Sequence, residues 1–460
     1  MVVVSLQLLT NNVSLLRASA QLLSLHMSVK SQKDILAKLG IERLNPMQNE
    51  AHSAIKSDSD VVLLSPTGTG KTLAFLLPLV ARLDTKKEGI QALVLVPSRE
   101  LAIQIEQVFR EMGSGYKANV VYGGRAGSKD REELKHLPAL LIGTPGRVAD
   151  HIRRNQFETR GIKTLVLDEF DKSLEIGFED DMRDIIEELD QVDKRILTSA
   201  TKEAQIPKFV GLNDPIEINY LNTKSTQLEI KIVDLAQNSK FETLVNTLSF
   251  IGDQPGIIFC NFKDDIAELS DSLFEEGIEH GCFYGNMEQK DRERVLIKFR
   301  NGTHRLIIAT DLAARGLDIP ELKFIIHYQL PPRSQEFTHR NGRTARMNSD
   351  GTAYIILEKR GRKPEYIEEY PVVEMEESQN PPRTNWSTLF ISGGRKDKIS
   401  KGDIAGLLMK QGKLSKEQVG VIELKSDCAF VGVQRDQAKD VVKQVNNVRL
   451  KKKKVRVSVI

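Results

Sequence analysis

The sequence predicts two consecutive α/β domains, each built on a parallel sheet, followed by a smaller α+β domain. Three observations carry this. From Asp60 onward, apolar runs of four to six residues end in Gly, Ser or Thr and alternate with longer amphipathic stretches, as strands buried on both faces and joined by crossover helices do. A second set of such runs begins after about Asn222, and from Thr384 the rhythm changes again. At 460 residues the chain has room for roughly two to four domains.

Residues 1–26 carry one charge, Arg17, and Ala18-Ser19-Ala20 imitates a signal-cleavage site without a basic segment before it. The expectation is an untranslated leader with Met27 as the start, or a loosely docked helix. The first α/β domain, 27–220, has the strand runs VVLLS, ALVLVPS, NVVYGG, ALLIGT, TLVLDE and RILTSAT. Asn213-Asp214-Pro215 to Lys224 reads as the seam. The second domain, 221–363, has GIIFCN, HGCFYGN, RLIIATD, FIIHYQL and TAYIILE. An acidic linker spans 364–383. The segment 384–460 reads as strand, helix, two strands, helix and strand, the split order of ferredoxin-like and RNA-recognition folds. Leu389 and Ile391 face inward in its first strand, and Ala429, Val431 and Val433 in its third, which turns Phe390 and Phe430 to the other face. There they can stack on unpaired bases, or lie covered by another domain.

The net charge of +3 hides an uneven distribution. Thr384 to Ile460 holds 17 Lys/Arg against 7 Asp/Glu, a balance of +10. Pro364 to Pro382 holds six Glu and no basic residue, and the first 363 residues sit near −2. A weakly acidic body with a basic tail suggests a polyanionic partner. Cys260, Cys282 and Cys428 are far apart, which excludes a disulfide scaffold and a cysteine zinc site and points to a reducing, cytoplasmic compartment. No run of 18 apolar residues occurs, so no membrane span is expected.

Ser65-Pro66-Thr67-Gly68-Thr69-Gly70-Lys71-Thr72 lies between a strand and a helix. Gly68 and Gly70 let backbone N–H groups converge on phosphates at the helix N-terminus, Lys71 neutralises them, and the Thr72 hydroxyl sits on Mg²⁺. Ser65 stands where the strict pattern has Gly. A later strand delivers Asp168 and Glu169 to the carboxyl edge of the sheet. Asp168 can hold Mg²⁺ through water, and Glu169 can orient or deprotonate the attacking water. In the second domain, His339-Arg340-Asn341-Gly342-Arg343-Thr344-Ala345-Arg346 concentrates three arginines. Two of them can act as fingers on the γ-phosphate, or the cluster is a solvated basic turn.

With these motifs in order, the sequence resembles the DEAD-box ATP-dependent RNA helicases from Lys38 onward. The resemblance rests on LNPMQ ending at Gln48, SPTGTGKT, PSRELA, Gly123-Gly124, TPGR, DEFD, SAT, IIFCN, YGNMEQKDR, ATDLAARGLDIP and HRNGRTAR. It implies two tandem RecA-like P-loop NTPase domains and hydrolysis of ATP with Mg²⁺. It implies that Gln48 reads adenine, that Gly316 and Asp318 help hold the nucleotide, and that Arg343 and Arg346 are the fingers. Ser199, Thr201 and His339 would couple hydrolysis to strand separation. RNA would be held by Arg99, Gly124, Thr144 and Arg147 in the first domain and by Gln289, Arg292 and Thr310 in the second. The tail resembles the RNA-binding domain of DbpA-type helicases, an RRM-like module, through TLFISGGRKDKISKGDIAGLL, VGVIELKSDCAFVGV and KKKKVRVSVI. That implies a monomeric helicase tethered to large-subunit ribosomal RNA in pre-ribosomal particles. The alternative is an ATP-dependent RNA clamp that unwinds little. Three departures stand out: Phe170 replaces the Ala of the family's name, Asn341 and Ala345 replace apolar and Gly residues, and no aromatic residue precedes Phe75 to stack on adenine.

Overall fold

The computed structural model describes residues 29–124, 127–175, 177–202, 205–221, 228–235, 238–311, 322–344, 350–357, 363–375 and 384–460. Residues 1–26, Gly316, Asp318, Ala345 and Arg346 lie outside the described residues. The chain divides into two compact units, the first ending at Thr223 and the second starting at Lys224.

The first unit runs α1 (Gln32–Lys38), α2 (Pro46–Lys56), β1 (Val61–Leu64), α3 (Lys71–Arg82), β2 (Ala92–Leu95), α4 (Arg99–Met112) and β3 (Ala118–Val121). It continues with α5 (Gly127–Leu134), β4 (Leu140–Gly143), α6 (Pro145–Arg153), β5 (Thr164–Leu167), α7 (Phe170–Glu175), α8 (Glu179–Glu187), β6 (Lys194–Ser199) and β7 (Ile216–Asn219). The strands pair in parallel in the order β3-β4-β2-β5-β6-β1-β7. Every residue of β1, β2, β4 and β5 is buried, because alternate side chains feed two separate cores. Val61 and Leu63 of β1 join Phe75 and Phe109 on one face, while Val62 and Leu64 join Phe170 and Met182 on the other.

The second unit opens with β8 (Leu228–Asp234), α9 (Lys240–Ile251), β9 (Gly256–Phe259), α10 (Lys263–Glu275), β10 (Gly281–Phe283), α11 (Gln289–Arg300) and β11 (Leu306–Ala309). β12 (Phe324–His327), α12 (Ser334–Asn341), β13 (Gly351–Ile356) and β14 (Val372–Glu374) complete its parallel sheet, ordered β10-β11-β9-β12-β13-β8-β14. Counted from the first strand of each unit, both sheets follow the same permutation. The acidic linker differs from its expectation as a spacer. β14 adds to the edge of the sheet beside β8, Ile367 is buried, and the Tyr366 ring lies 5.7 Å from Phe337. Its apolar residues, interleaved with the glutamates, give that stretch something to bury.

The tail has β15 (Trp386–Ile391), α13 (Lys401–Lys410), β16 (Val419–Leu424), β17 (Ala429–Gln434), α14 (Arg435–Val445), a short hairpin β18 (Arg449–Leu450) and β19 (Lys453–Lys454), and β20 (Val457–Val459). Its antiparallel sheet, β16-β17-β15-β20, matches the expected RRM-like order, with the hairpin as an addition. Leu389, Ile391, Ala429, Val431 and Val433 form its core with Ile404, Leu408 and Val441.

Candidate nucleotide and RNA site

The carboxyl edge of the first sheet, where α/β folds bind ligands, divides by chemistry. The loops after β1, β5 and β6 carry the glycine-rich cradle, the paired acids and the Ser-Ala-Thr segment. Those after β2, β3 and β4 carry Arg99, Gly124 and Thr144.

In the cradle, Gly68 (φ 80°) and Gly70 (φ 87°) adopt the left-handed conformation that only glycine takes at little cost. A Cβ on Gly70 would also stand 2.5 Å from Gln48 Nε2. Gln48 is a strut: Nε2 donates to the Gly70 carbonyl at 3.2 Å, and Oε1 accepts from the Asn45 N–H at 3.0 Å. Asn45 Nδ2 in turn donates to the Thr69 carbonyl at 3.1 Å. Lys71 closes on its own loop, donating to the Ser65 and Pro66 carbonyls at 2.6 and 2.8 Å. The serine that replaces the opening glycine is accommodated, since its buried hydroxyl pairs with Thr69 Oγ1 at 2.8 Å. Thr72 follows in the first turn of α3.

The acids meet the cradle from β5. Asp168 is buried, and burial together with the adjacent Glu169 charge raises its pKa to about 6. The Thr198 hydroxyl donates to Asp168 Oδ1 and accepts the Glu169 N–H at 3.2 Å. Glu169 sits at φ 49°, a conformation that costs a non-glycine residue about 1–3 kcal/mol and is held here by that bond. Thr198 was not among the expected site residues, although a threonine directly after Ile196-Leu197 and one position before Ser-Ala-Thr is a signal. From the same strand end, the Ser199 hydroxyl donates to the Thr201 carbonyl at 2.7 Å, and Thr201 Oγ1 donates to Asp171 Oδ2 at 3.1 Å. The acid loop and the Ser-Ala-Thr segment are thereby one hydrogen-bonded web. Phe170 points away from it into the core, 3% exposed.

Across the same edge, Arg99 lies against Gly124, where a Cβ would stand 2.5 Å from Nη1. Thr144 is the N-cap of α6, and Arg147 in its first turn is aimed by Asp130, to which Nε donates at 2.8 Å. Asp130 is fully buried and also meets His151 Nε2 at 3.2 Å, an anchor that no motif announced.

In the second unit, Gln289 begins α11, and the Arg292 guanidinium lies 4.5 Å over the Phe283 ring at the end of β10. Thr310 follows β11 and its N–H donates to the Phe283 carbonyl at 3.3 Å, so these expected RNA contacts gather at one edge. The two described arginines of this motif, Arg340 and Arg343, differ in setting. Arg340 is 1% exposed, holds Asp311 with two bonds of 2.7 and 2.6 Å, and reaches Asn261 Oδ1 at 2.8 Å. It is structural. Arg343 lies in the turn after α12, and His339 is buried within that helix. Asn341 has a purpose: its Oδ1 accepts from Nε2 of fully buried His327 at 2.9 Å. Burial pushes that histidine down to about 3, so it is neutral.

The tail corrects one expectation. Phe390 and Phe430 do share the outer face, paired across the strands with ring centroids 5.6 Å apart, but Phe430 is 7% exposed and every residue of β17 from Ala429 to Val433 is buried. The end of α11 lies against this face. Thr388 Oγ1 meets Thr303 Oγ1 at 2.7 Å and Asn301 Nδ2 at 3.2 Å, and Trp386 packs on Gly302. Arg300 Nε donates to Glu423 Oε1 at 2.6 Å, and Arg435 grips Glu279 with both Nη atoms. The open stacking platform is therefore an intramolecular contact.

Among the described residues no group of three or more His, Cys, Asp or Glu is placed to hold a metal, and no helix is long and apolar enough to cross a membrane. Thr72 with Asp168 fits a Mg²⁺ that takes its other ligands from phosphate and water. The acid pair, held together at the cost seen in Asp168, is suited to a cation.

Fold and site together define a P-loop NTPase with two parallel-sheet units and an appended RNA-recognition-type domain. The chain belongs to the DEAD-box ATP-dependent RNA helicases, and within them it is DbpA-like. The DEAD/DEAH box helicase family matches residues 45–209, the helicase conserved C-terminal domain residues 239–348 and the DbpA RNA binding domain residues 388–459. It is 32% identical over 440 residues to the ATP-dependent RNA helicase DbpA of Escherichia coli, covering 92% of this chain and 96% of that protein. With DbpA of Bacillus subtilis it shares 29% over 461 residues, at 92% and 96% coverage. Among solved structures, Saccharomyces cerevisiae Dbp5 bound to RNA and ADP BeF3 aligns with a TM-score of 0.63 at 25% identity, covering 76% of this chain and 95% of that one. Mss116p bound to single-stranded RNA and AMP-PNP shows the same fold, with a TM-score of 0.63 at 24% identity, over 73% of this chain and 74% of that one. The family's activity is RNA-dependent hydrolysis of ATP.

Proposed function

We propose that this helicase locally unwinds short RNA duplexes on large-subunit ribosomal RNA during ribosome assembly, as a cytoplasmic monomer whose tail keeps it near one RNA. The observation that carries the reading is the shared edge of the first sheet: the nucleotide groups and the RNA groups lie on adjacent strands, β5 and β2, so a change at one reaches the other through neighbouring backbone. In this reading ATP phosphates take the N–H groups of Thr67 to Lys71, and Lys71 exchanges its two loop carbonyls for phosphate oxygens. Thr72 and Asp168 would hold Mg²⁺, which supplies charge neutralisation at the phosphates. Glu169, fixed by Thr198, orients and deprotonates the attacking water. Gln48 gives up one strut bond to adenine, and Gly316, Asp318, Arg343 and Arg346 complete the nucleotide contacts. The missing upstream aromatic weakens nucleotide binding by roughly 1 kcal/mol.

Ser199 and Thr201 pass the state of the acid loop to the RNA side through Asp171, with His339 serving the second unit. Arg99, Gly124, Thr144, Arg147, Gln289, Arg292 and Thr310 hold the sugar-phosphate backbone without reading sequence. With its sheet face covered, the tail takes RNA through exposed lysines such as Lys452 and Lys454, and its affinity falls steeply with salt. Steady-state ATPase with and without RNA tests the reading: RNA stimulates the wild type and Glu169→Gln abolishes turnover. An ATPase indifferent to RNA, or unchanged in E169Q, refutes it. Lys452→Glu with Lys454→Glu should remove preference for ribosomal over bulk RNA; undiminished preference refutes the tether.

A further inference from the structure

Three phenylalanines of the second unit stand in solvent: Phe250 at 68%, Phe262 at 70% and Phe274 at 79% exposure. Phe250 and Phe274 lie near the C-terminal ends of α9 and α10, at the amino edge of the sheet, away from the ligand side. Phe262 stands alone on the carboxyl edge, between β9 and α10. It occupies the N-cap of α10 with extended backbone, φ −123° and ψ 157°. Five other helices start at a Ser or Asn whose side chain caps the first turn, namely Ser31, Asn45, Ser98, Ser239 and Ser400. A phenylalanine cannot accept that hydrogen bond, so the helix forgoes a favourable cap and exposes an apolar ring instead. α8 also starts at an uncapped phenylalanine, Phe178, but that residue is half-buried, whereas Phe262 is 70% exposed; an apolar ring that neither caps nor packs is expected at a functional position.

The ring's base is also held firmly. The Asn261 N–H donates to Gln329 Oε1 at 2.7 Å, its Nδ2 donates to the Leu330 carbonyl at 3.0 Å, and its Oδ1 takes a guanidinium N–H from Arg340. The Phe262 N–H donates to Asp265 Oδ2 at 3.2 Å. On the adjacent strand ends are the groups read above as RNA contacts. β9 pairs with β11, the Cys260 N–H bonds to the Ala309 carbonyl at 3.1 Å, and Thr310 follows, itself bonded to the end of β10.

We propose that Phe262 stacks on an unpaired base of the RNA strand held by Gln289, Arg292 and Thr310. The inference rests on the reading of those three residues as backbone contacts. It gives a base-facing contact to an edge whose other groups face the sugar-phosphate chain. The stack is tolerant of sequence, because every base offers a π face.

The test uses the full chain and two single-stranded oligoribonucleotides of equal length, one complete and one with abasic residues throughout. The readout is the concentration that half-saturates RNA-stimulated ATPase. Phe262→Ala should raise it about tenfold for the complete strand and leave the abasic strand unchanged. Phe262→Trp should keep the wild-type value, Phe262→Leu should behave like Ala, and Phe274→Ala should move nothing. An unchanged value for F262A on the complete strand overturns the proposal, and so does an equal loss on both strands, which would make the ring a structural support. A wild type that no RNA stimulates would instead remove the RNA site, and this contact with it.

Discussion

Replacing Asp168 by Asn should stabilise the ligand-free protein while abolishing its activity. The carboxyl is 3% exposed, and its pKa rises from 3.8 to about 6 because burial and the Glu169 charge disfavour ionisation more than Thr198 and Lys71 favour it. That difference corresponds to about 3 kcal/mol that the first unit loses at neutral pH by keeping the group charged. Asparagine retains an oxygen for the Thr198 hydroxyl and carries no charge. For a unit of this size, about 3 kcal/mol is roughly 6–12 °C in Tm. The sign follows from proton counting. Between pH 3.8 and 6 the folded wild type binds more protons than the unfolded chain, so its stability falls as pH rises through that window. The advantage of D168N should therefore be near zero at about pH 4 and full above about pH 7. Thermal unfolding of both proteins without nucleotide, following the transition that ATP shifts in the wild type, measures it. An advantage independent of pH, or an Asn variant that melts earlier at pH 7.5, would refute the reasoning.

Two further outcomes follow from packing. Phe170→Ala restores the residue after which the family is named, yet it removes a core side chain and should cost about 3–5 kcal/mol in unfolding free energy; a wild-type unfolding midpoint would contradict the placement of the ring. Thr388→Val leaves Thr303 and Asn301 short of a buried partner and should cost about 1–3 kcal/mol. Because Trp386 is the single tryptophan and packs on Gly302, its emission should also shift to the red as the face opens, and an unmoved spectrum would count against the contact.

The central strands were legible because they are buried on both faces and read as continuous Val, Ile and Leu runs; of the edge strands, β3 and β10 still showed through the alternation of their buried residues and the Gly that follows. β7 escapes because Ile218 alone of its four residues is buried, and β8 and β14 because their exposure is mixed. In β7 and β14 a single buried or partly covered residue in a three- or four-residue edge strand leaves too little pattern to read. The chemistry-bearing motifs were legible because backbone and phosphate geometry demand particular residues at fixed spacing. Their supports were harder to read: Thr198, Asp130 and Asp311 act on groups 17 to 30 residues away along the chain, and even where Thr198 and Asp311 sit beside or within a motif, nothing local says which distant group each holds. The tail shows the same division. Strand parity placed Phe390 and Phe430 on the right face, but what lies over that face is a helix end some 90 to 130 residues upstream, which strand parity cannot reveal.

Helix α11 carries Gln289 and Arg292 in its first turn and meets the tail through Arg300 and the residues just after it. Its 12 residues span about 18 Å. Under the proposed function this makes the helix a ruler. RNA gripped by the tail and RNA gripped at the sheet edge are then separated by this rod together with the folded tail seated on its end, where a slack chain would allow a range of separations. The enzyme would then choose its duplex by distance from an anchored structure, and inserting or deleting one turn of α11 would move the unwound site along the RNA.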